Sequence, residues 1–289
     1  GSRARRLGSA TTVLRTRADA LALIGSIEAL DRGSRVVVVG GGFVGAEVAT
    51  SLVARGLAPV VLETLARPLI TVLGGEVSAW LAPLGERAGV DVRSDQRVLG
   101  ATVNGGSVRV DVGPGGELVA PIALAAVGAA PNVEWLEGSG LDLDRGVVVD
   151  EALMASECVA AIGDVARASW RGPLGVEQVR VEHWQSATDH ALALARRWTG
   201  GAPVAAVPYF WSDQYGHKIQ VLGHPHADDD VTRVAHDAAT ERFTALYSRD
   251  GVVTGAVALS QPRTLMRAKA VLDEPTTLDD ALARAPWAD

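Results

Sequence analysis

The stretch VVVVGGGFVGAEVA, residues 36–49, decides how the rest of the chain reads. It begins inside RVVVV at 35–39, a wholly apolar β-branched run with the composition of a strand buried on both faces of a parallel sheet. The run leads directly into Gly40-x-Gly42-x-x-Gly45, and residues 43–55 then follow a helical period that stops at Gly56. Each glycine has a physical task in such a turn. Gly40 permits the tight turn, Gly42 lets a pyrophosphate approach the backbone, and Gly45 lets the helix pack closely on the strand. The helix start, at Phe43 and Val44, offers unpaired N–H groups and a partial positive charge to phosphates.

A second buried strand, PVVLE at 59–63, ends in Glu63. A carboxylate at that tip accepts hydrogen bonds from both ribose hydroxyls and repels a 2′-phosphate, so the sequence predicts NAD(H) over NADP(H). Arg67, four residues later, is placed to pull the other way. Glu47 admits two readings: a solvated acid on the first helical turn, or an acceptor for the nicotinamide amide. The candidate dinucleotide set is therefore Gly40, Gly42, Phe43, Val44, Gly45, Glu47, Glu63 and Arg67.

Working outward, 18–30 has helical spacing, 75–88 reads as an amphipathic helix, and VDVR, SVRVDV and ELVAP read as strands with glycine-rich turns between them. PIALAAVG at 121–128 is a further buried strand. GVVVD (146–150) and CVAAIGD (158–164) read as short apolar strands, and 181–198 as a helix. The linker at 200–203 marks a domain boundary. Beyond it come strands at 218–223, 243–248 and 252–259, a tight turn at Arg249, Asp250 and Gly251, and a helix at 262–272.

Bulk composition excludes several classes. No apolar run reaches the ~20 residues of a membrane span, and a net charge of −7 with scattered arginines is unlike a nucleic-acid binder. A single cysteine, Cys158, excludes an internal disulfide and fits a reducing, cytoplasmic setting; its apolar neighbours predict an inert buried thiol. Gly1 and Ser2 read as the remnant of an expression tag.

Several segments together resemble one family, the FAD-dependent, NADH-oxidising ferredoxin and rubredoxin reductases (pyridine nucleotide-disulfide oxidoreductase-like) that serve oxygenases and cytochromes P450. The resemblance rests on VLRTRADALAL (13–23), the 36–49 stretch, VGAAPNVEWLEGSGL (127–141), GVVVDEALMAS (146–156), VAAIGDVA (159–166), VEHWQSATDHA (181–191) and VPYFWSDQYGHKIQVLG (207–223), in family order. It implies an α/β fold: a Rossmann-like NAD-binding domain at 33–127, the second half of an FAD-type domain at 128–200, and a C-terminal α+β domain at 201–289, preceded by a linker at 1–32. It implies that Gly128 lies beside NAD, that Gly163 and Asp164 form the second flavin motif with the aspartate on a ribitol hydroxyl, and that Glu182, His183 and Trp184 lie against the isoalloxazine. Asp164, after an apolar run and before a turn, also admits a helix N-cap reading.

In that family another strand and GxGxxG loop come first and hold the ADP half of FAD; RARRLGS, at 3–9, resembles the segment that follows them. These residues are thus expected to hold FAD weakly or not at all by themselves. Losing two or three charge-assisted hydrogen bonds costs roughly 3–9 kcal/mol. Residues 128–198 would also keep an unpaired strand edge. The reading divides: an NADH-dependent flavoprotein feeding electrons to a ferredoxin-like iron–sulfur protein; a truncated or flavin-free relative with a binding or non-redox role; or one subunit of a split reductase whose second chain supplies the missing half.

Two other constellations are weighed. His224-Pro-His226 with Asp228, Asp229 and Asp230 suggests a metal, but its place between strands predicts a solvated loop and no metal site. Ser212 and Asp213 have no histidine placed by sequence to activate a nucleophile, so nucleophilic catalysis is not expected there, and hydride transfer to a flavin requires no catalytic acid or base side chain.

Overall fold

The computed structural model describes residues 7–201, 207–237 and 239–287, so parts of the expected leader and of the 200–203 linker lie outside the described residues. The chain divides into two compact units, one of 1–129 with 213–217, the other of 130–212 with 218–289.

The first unit is built on a parallel sheet in the order β1-β8-β2-β3-β4. Its strands are β1 (Thr12–Val13), β2 (Arg35–Val39), β3 (Ala58–Leu62), β4 (Asp91–Arg93) and β8 (Ile122–Ala125). Alternation along β2 divides the core. Val36 and Val38 face one layer with Val48, Ala49 and Leu52, while Val37 and Val39 face the other with Val108, Val110 and Leu118. The first layer is formed by α1 (Arg17–Glu28) and α2 (Phe43–Ala54). The second is an antiparallel meander of β5 (Gly100–Asn104), β6 (Ser107–Asp111) and β7 (Glu117–Ala120). A strand sandwiched this way must be apolar on both faces, which is why 35–39 contains no polar residue after Arg35.

The helix expected at 75–88 is instead two pieces, α3 (Ile70–Leu81) and α4 (Pro83–Arg87). Gly74 interrupts the first with φ 76° and ψ 170°, and Pro83 opens the second at a position where its missing N–H costs nothing.

The second unit holds a small sheet, β11-β10-β9, of β9 (Val147–Val149), β10 (Ala166–Gly172) and β11 (Gly175–Val179). It packs with α5 (Trp184–Trp198), whose Leu194 joins Val147, Val149, Ala166 and Ala168. The unit also contains most of a five-stranded sheet, β12-β13-β16-β15-β14: β12 (Tyr209–Gln214), β13 (His217–Gly223), β14 (Asp230–Asp237), β15 (Arg242–Arg249) and β16 (Val252–Leu259). Helices α6 (Pro262–Ala268) and α7 (Leu278–Arg284) cover it through Leu265, Ala268 and Ala281.

Three expectations and one alternative reading fail here, wholly or in part, for physical reasons. CVAAIGD is not a strand: only an isolated bridge between Met154 and Ala160 forms, because no described strand lies alongside 159–162 to complete a ladder. Cys158 is consequently exposed, not buried. Asp164 caps no helix, since a single 3-10 turn leads from it into β10. The loop 224–229 is only partly solvated: His226 and Asp228 are exposed, whereas its end turns inward. Asp229 is only 8% exposed, and a Cβ on Gly255 would lie 2.8 Å from Pro225 Cδ.

Candidate functional site

The first candidate locus lies at the carboxyl ends of β2, β3 and β8, where an open parallel sheet offers its ligand crevice. Gly40 N donates to Leu62 O at 2.8 Å and Ala126 N to Val39 O at 2.8 Å, which fixes the three strand ends side by side. The glycines divide by what surrounds them. At Gly40, with φ 107°, a Cβ would meet Ala126 O at 2.3 Å, and at Gly45 one would meet Gly40 O at 2.0 Å. These two are required by the protein's own packing. Gly42 is different: it is the N-cap of α2, with extended backbone, and a Cβ there would meet nothing within 4 Å. The space in front of it is open, as an approaching phosphate needs.

Glu63 is tied to this turn. One carboxylate oxygen, Oε2, accepts from Gly41 N at 2.9 Å, and Oε1 accepts from Leu65 N at 2.9 Å. Two backbone donors thus hold the acid beside the glycine turn, with lone pairs left over for further donors. Arg67 is exposed in the bend that follows. Glu47 belongs to the second turn of α2, not the first, and is half-buried. With Val44, which is exposed, it lines a groove of about 320 Å³ bordered by Leu23, Ile24 and Ile27 of α1. Phe43 is half-buried at the first helical position, and Gly128 adopts φ 87° with open space about it.

The second locus lies in the other unit, at the N-terminal end of α5. Gly163 has φ 69°, and a Cβ there would lie 3.4 Å from Ala187 Cβ, so the 163–165 turn sits against the first turns of the helix. That brings Gly163 and Asp164 together with Glu182, His183 and Trp184. Asp164 is exposed; Arg180 Nη1 donates to its carbonyl at 3.2 Å and to Glu182 Oε1 at 2.7 Å.

His183 is the N-cap of α5. Its Nδ1 accepts from Gln185 N at 3.2 Å, so Nε2 carries the proton and donates to Trp211 O at 3.1 Å. The imidazole also stands edge-on to Trp211, with centroids 4.2 Å apart. Trp184, by contrast, presents its indole to solvent at 79% exposure. Ser212 is buried, so the nucleophile reading has no accessible hydroxyl.

One residue of this locus was not singled out from sequence. His190 Nδ1 accepts a hydrogen bond from Gly163 N at 3.2 Å, pinning the turn from one helical turn further along. Burial lowers its pKa, against the opposing pull of Asp189. Nothing in the linear order signals this role, because the two partners are 27 residues apart.

Comparison with known proteins adds a frame. Residues 1–191 match the family described as pyridine nucleotide-disulphide oxidoreductase, and 209–289 match the one described as reductase C-terminal. Rhodocoxin reductase of Rhodococcus erythropolis is 33% identical over 284 residues, covering 93% of this chain and 62% of that protein. Putidaredoxin reductase of Pseudomonas putida is 30% identical over 257 residues, covering 86% of this chain and 60% of that protein. This chain therefore spans less than two thirds of the length of these relatives. Among solved structures, the ferredoxin reductase for the CYP199A2 system of Rhodopseudomonas palustris superposes with a TM-score of 0.84 at 29% identity, covering 98% of this chain and 71% of that one. Among the described residues, no helix is long and apolar enough to cross a membrane.

Proposed function

The chain belongs to the pyridine nucleotide-disulphide oxidoreductase family, and from that premise we propose that it serves NADH-dependent electron transfer, through FAD, to a ferredoxin-like iron–sulfur protein. The observation that carries the reading is the glycine turn at 40–45 with Glu63 hydrogen-bonded to its backbone. The turn offers phosphates the unobstructed N-terminus of α2. Glu63 offers the adenosine ribose two acceptor oxygens already held in place, and it sets a negative charge where a 2′-phosphate would sit.

The second locus fits a flavin. Trp184 presents an exposed aromatic face, Asp164 an exposed carboxylate, and His183 a rigid support pinned at both ring nitrogens. A bound flavin supplies the conversion of a two-electron donor into single-electron transfers. The protein's part is positional: Gly163 and His190 hold the turn that aims Asp164, and the Trp211 carbonyl and His183 fix the start of α5. No side chain is required as acid or base. The relatives named above are by name reductases of rhodocoxin, putidaredoxin and a ferredoxin, which supports a ferredoxin-like partner for this chain.

The test is calorimetric titration of the full chain with NADH and NADPH, paired with the absorption spectrum of the purified protein. NADH is expected to bind the more tightly. Glu63→Gln, which removes the charge and keeps one acceptor oxygen, is expected to weaken NADH roughly 10-fold or more, at about 1.5–3 kcal/mol per charge-assisted hydrogen bond, and to narrow the preference over NADPH. Tighter binding of NADPH by the unaltered protein would overturn the assignment of Glu63. A flavin spectrum with NADH-driven dye reduction supports the electron-transfer reading, whereas colourless protein that binds NADH and reduces no dye even with added FAD refutes it.

A further inference from the structure

We propose that Glu177, His224 and His226 form a binding site for a divalent transition-metal cation of the zinc class, joining β11 to the loop that follows β13. Among the described residues these three bring their ligating atoms within 4.8 Å of one another. Glu177 Oε2 lies 2.8 Å from His224 Nδ1 and 3.4 Å from His226 Nε2. A tetrahedral zinc with bonds of about 2.0–2.1 Å needs donor atoms roughly 3.3 Å apart. The two separations from Glu177 bracket that value, and the two imidazole donors lie within 4.8 Å of each other, a spread that side-chain rotation would have to close around the ion. Two imidazoles and one carboxylate select zinc-like ions over magnesium and calcium, which take oxygen ligands. Three protein ligands leave one coordination position for water.

The surroundings build the site. The loop carrying both histidines is fixed at its root. Gly223 has φ 79°, where a Cβ would strike Thr254 O at 2.4 Å, and Pro225 lies against the Gly255 backbone. Across the turn, Asp229 Oδ2 accepts from His226 N at 2.9 Å and from Thr254 Oγ1 at 2.7 Å. Arg249 then grips Asp229 at 2.7 and 3.3 Å but reaches Glu177 only at 3.5 Å. Arg249 meets Glu177 on Oε1, which leaves Oε2 as the oxygen turned toward the two imidazoles. Such supporting contacts are what hold first ligands in register at metal sites. His226 is 44% exposed at its side chain, which gives the ion an entry path.

The consequence is a cross-link between two segments 47 residues apart in sequence. A cation there favours the folded state, because the three donors come together only in it. The cation would act as a staple, distinct from the nucleotide loci.

The experiment uses the full chain, stripped with chelator and returned to metal-free buffer, then titrated with zinc sulfate by calorimetry and with cobalt chloride by visible absorption. One equivalent of zinc is expected, with a cobalt spectrum of tetrahedral type, a rise in unfolding midpoint with added zinc, and no comparable response to magnesium. His226→Ala and His224→Ala are each expected to weaken zinc at least 100-fold, and Glu177→Gln at least 10-fold, with the circular dichroism spectrum unchanged. His226→Ala is the cleanest of these, since removing a half-exposed ring leaves no cavity. Zinc uptake by folded His226→Ala equal to that of the unaltered protein would overturn the proposal, as would the absence of any uptake by the unaltered protein.

Discussion

Gly42 and Gly45 stand three residues apart in different surroundings, one open and one crowded, and substitution is expected to separate them. A methyl group on Gly45 would lie 2.0 Å from Gly40 O, so either α2 lifts off the sheet or the turn opens. Gly45→Ala is expected to lower stability by about 2 kcal/mol or more, in the range typical of overpacking, read as a drop in unfolding midpoint. Gly42 has φ −72°, which any residue adopts, and open space around its missing Cβ. Gly42→Ala should leave the midpoint nearly unchanged while weakening NADH. Equal stability losses in the two variants would show that Gly42 is a packing glycine too, and would remove the space reserved for phosphate. The packing role of Gly45 was legible in the motif because the glycine spacing encodes it, and the same spacing underlies the proposal for Gly42. The two backbone hydrogen bonds of Glu63 were not legible, since they depend on how the 40–42 and 63–65 turns meet.

At the scale of elements, legibility followed local determinism. β2 and β3 could be read directly because a strand buried on both faces has no other use for four consecutive apolar β-branched or aliphatic residues. The segment at 158–164 has similar composition yet forms no strand, because a strand exists only by pairing and pairing is not local. The turn joining β15 and β16 was readable for the opposite reason. Asp250 and Gly251 take φ 52° and 75°, a conformation that short polar residues and glycine tolerate and others resist. Gly251→Ala, with nothing within 4 Å of the added methyl, should cost about 1 kcal/mol from backbone strain alone. Asp250→Asn should hold or raise the midpoint, since Asn-Gly suits this turn. If the alanine were silent in thermal denaturation, the turn would not have the conformation described here.

For the whole molecule, the balance of charge and one half-buried imidazole are expected to set the response to acid. The chain carries a formal charge of −7 at pH 7, an excess that falls as pH drops. The relevant histidine was hidden from sequence analysis because its partner, the Gly163 amide, and its burial both come from tertiary packing. Burial makes the neutral form of His190 the favoured one in the fold, and its acceptor role at Nδ1 requires that form.

With the folded pKa depressed below the unfolded value near 6.5, the unfolded chain binds more protons as pH falls. The stability contributed by His190 is therefore complete above about pH 6.5 and is lost progressively as pH falls toward the folded value. Carboxylates such as Asp19, held low chiefly by the Thr16 backbone N–H, lose their contribution only in a more acidic window, below the ordinary value of 3.8. The unfolding midpoint is thus expected to decline on going from pH 6.5 to 5, before carboxylates matter. His190→Gln, which keeps an acceptor and cannot take up the proton, should flatten that limb. If the variant and the unaltered protein trace parallel curves across this interval, His190 does not govern the acid response, and the 163–165 turn is held by other contacts.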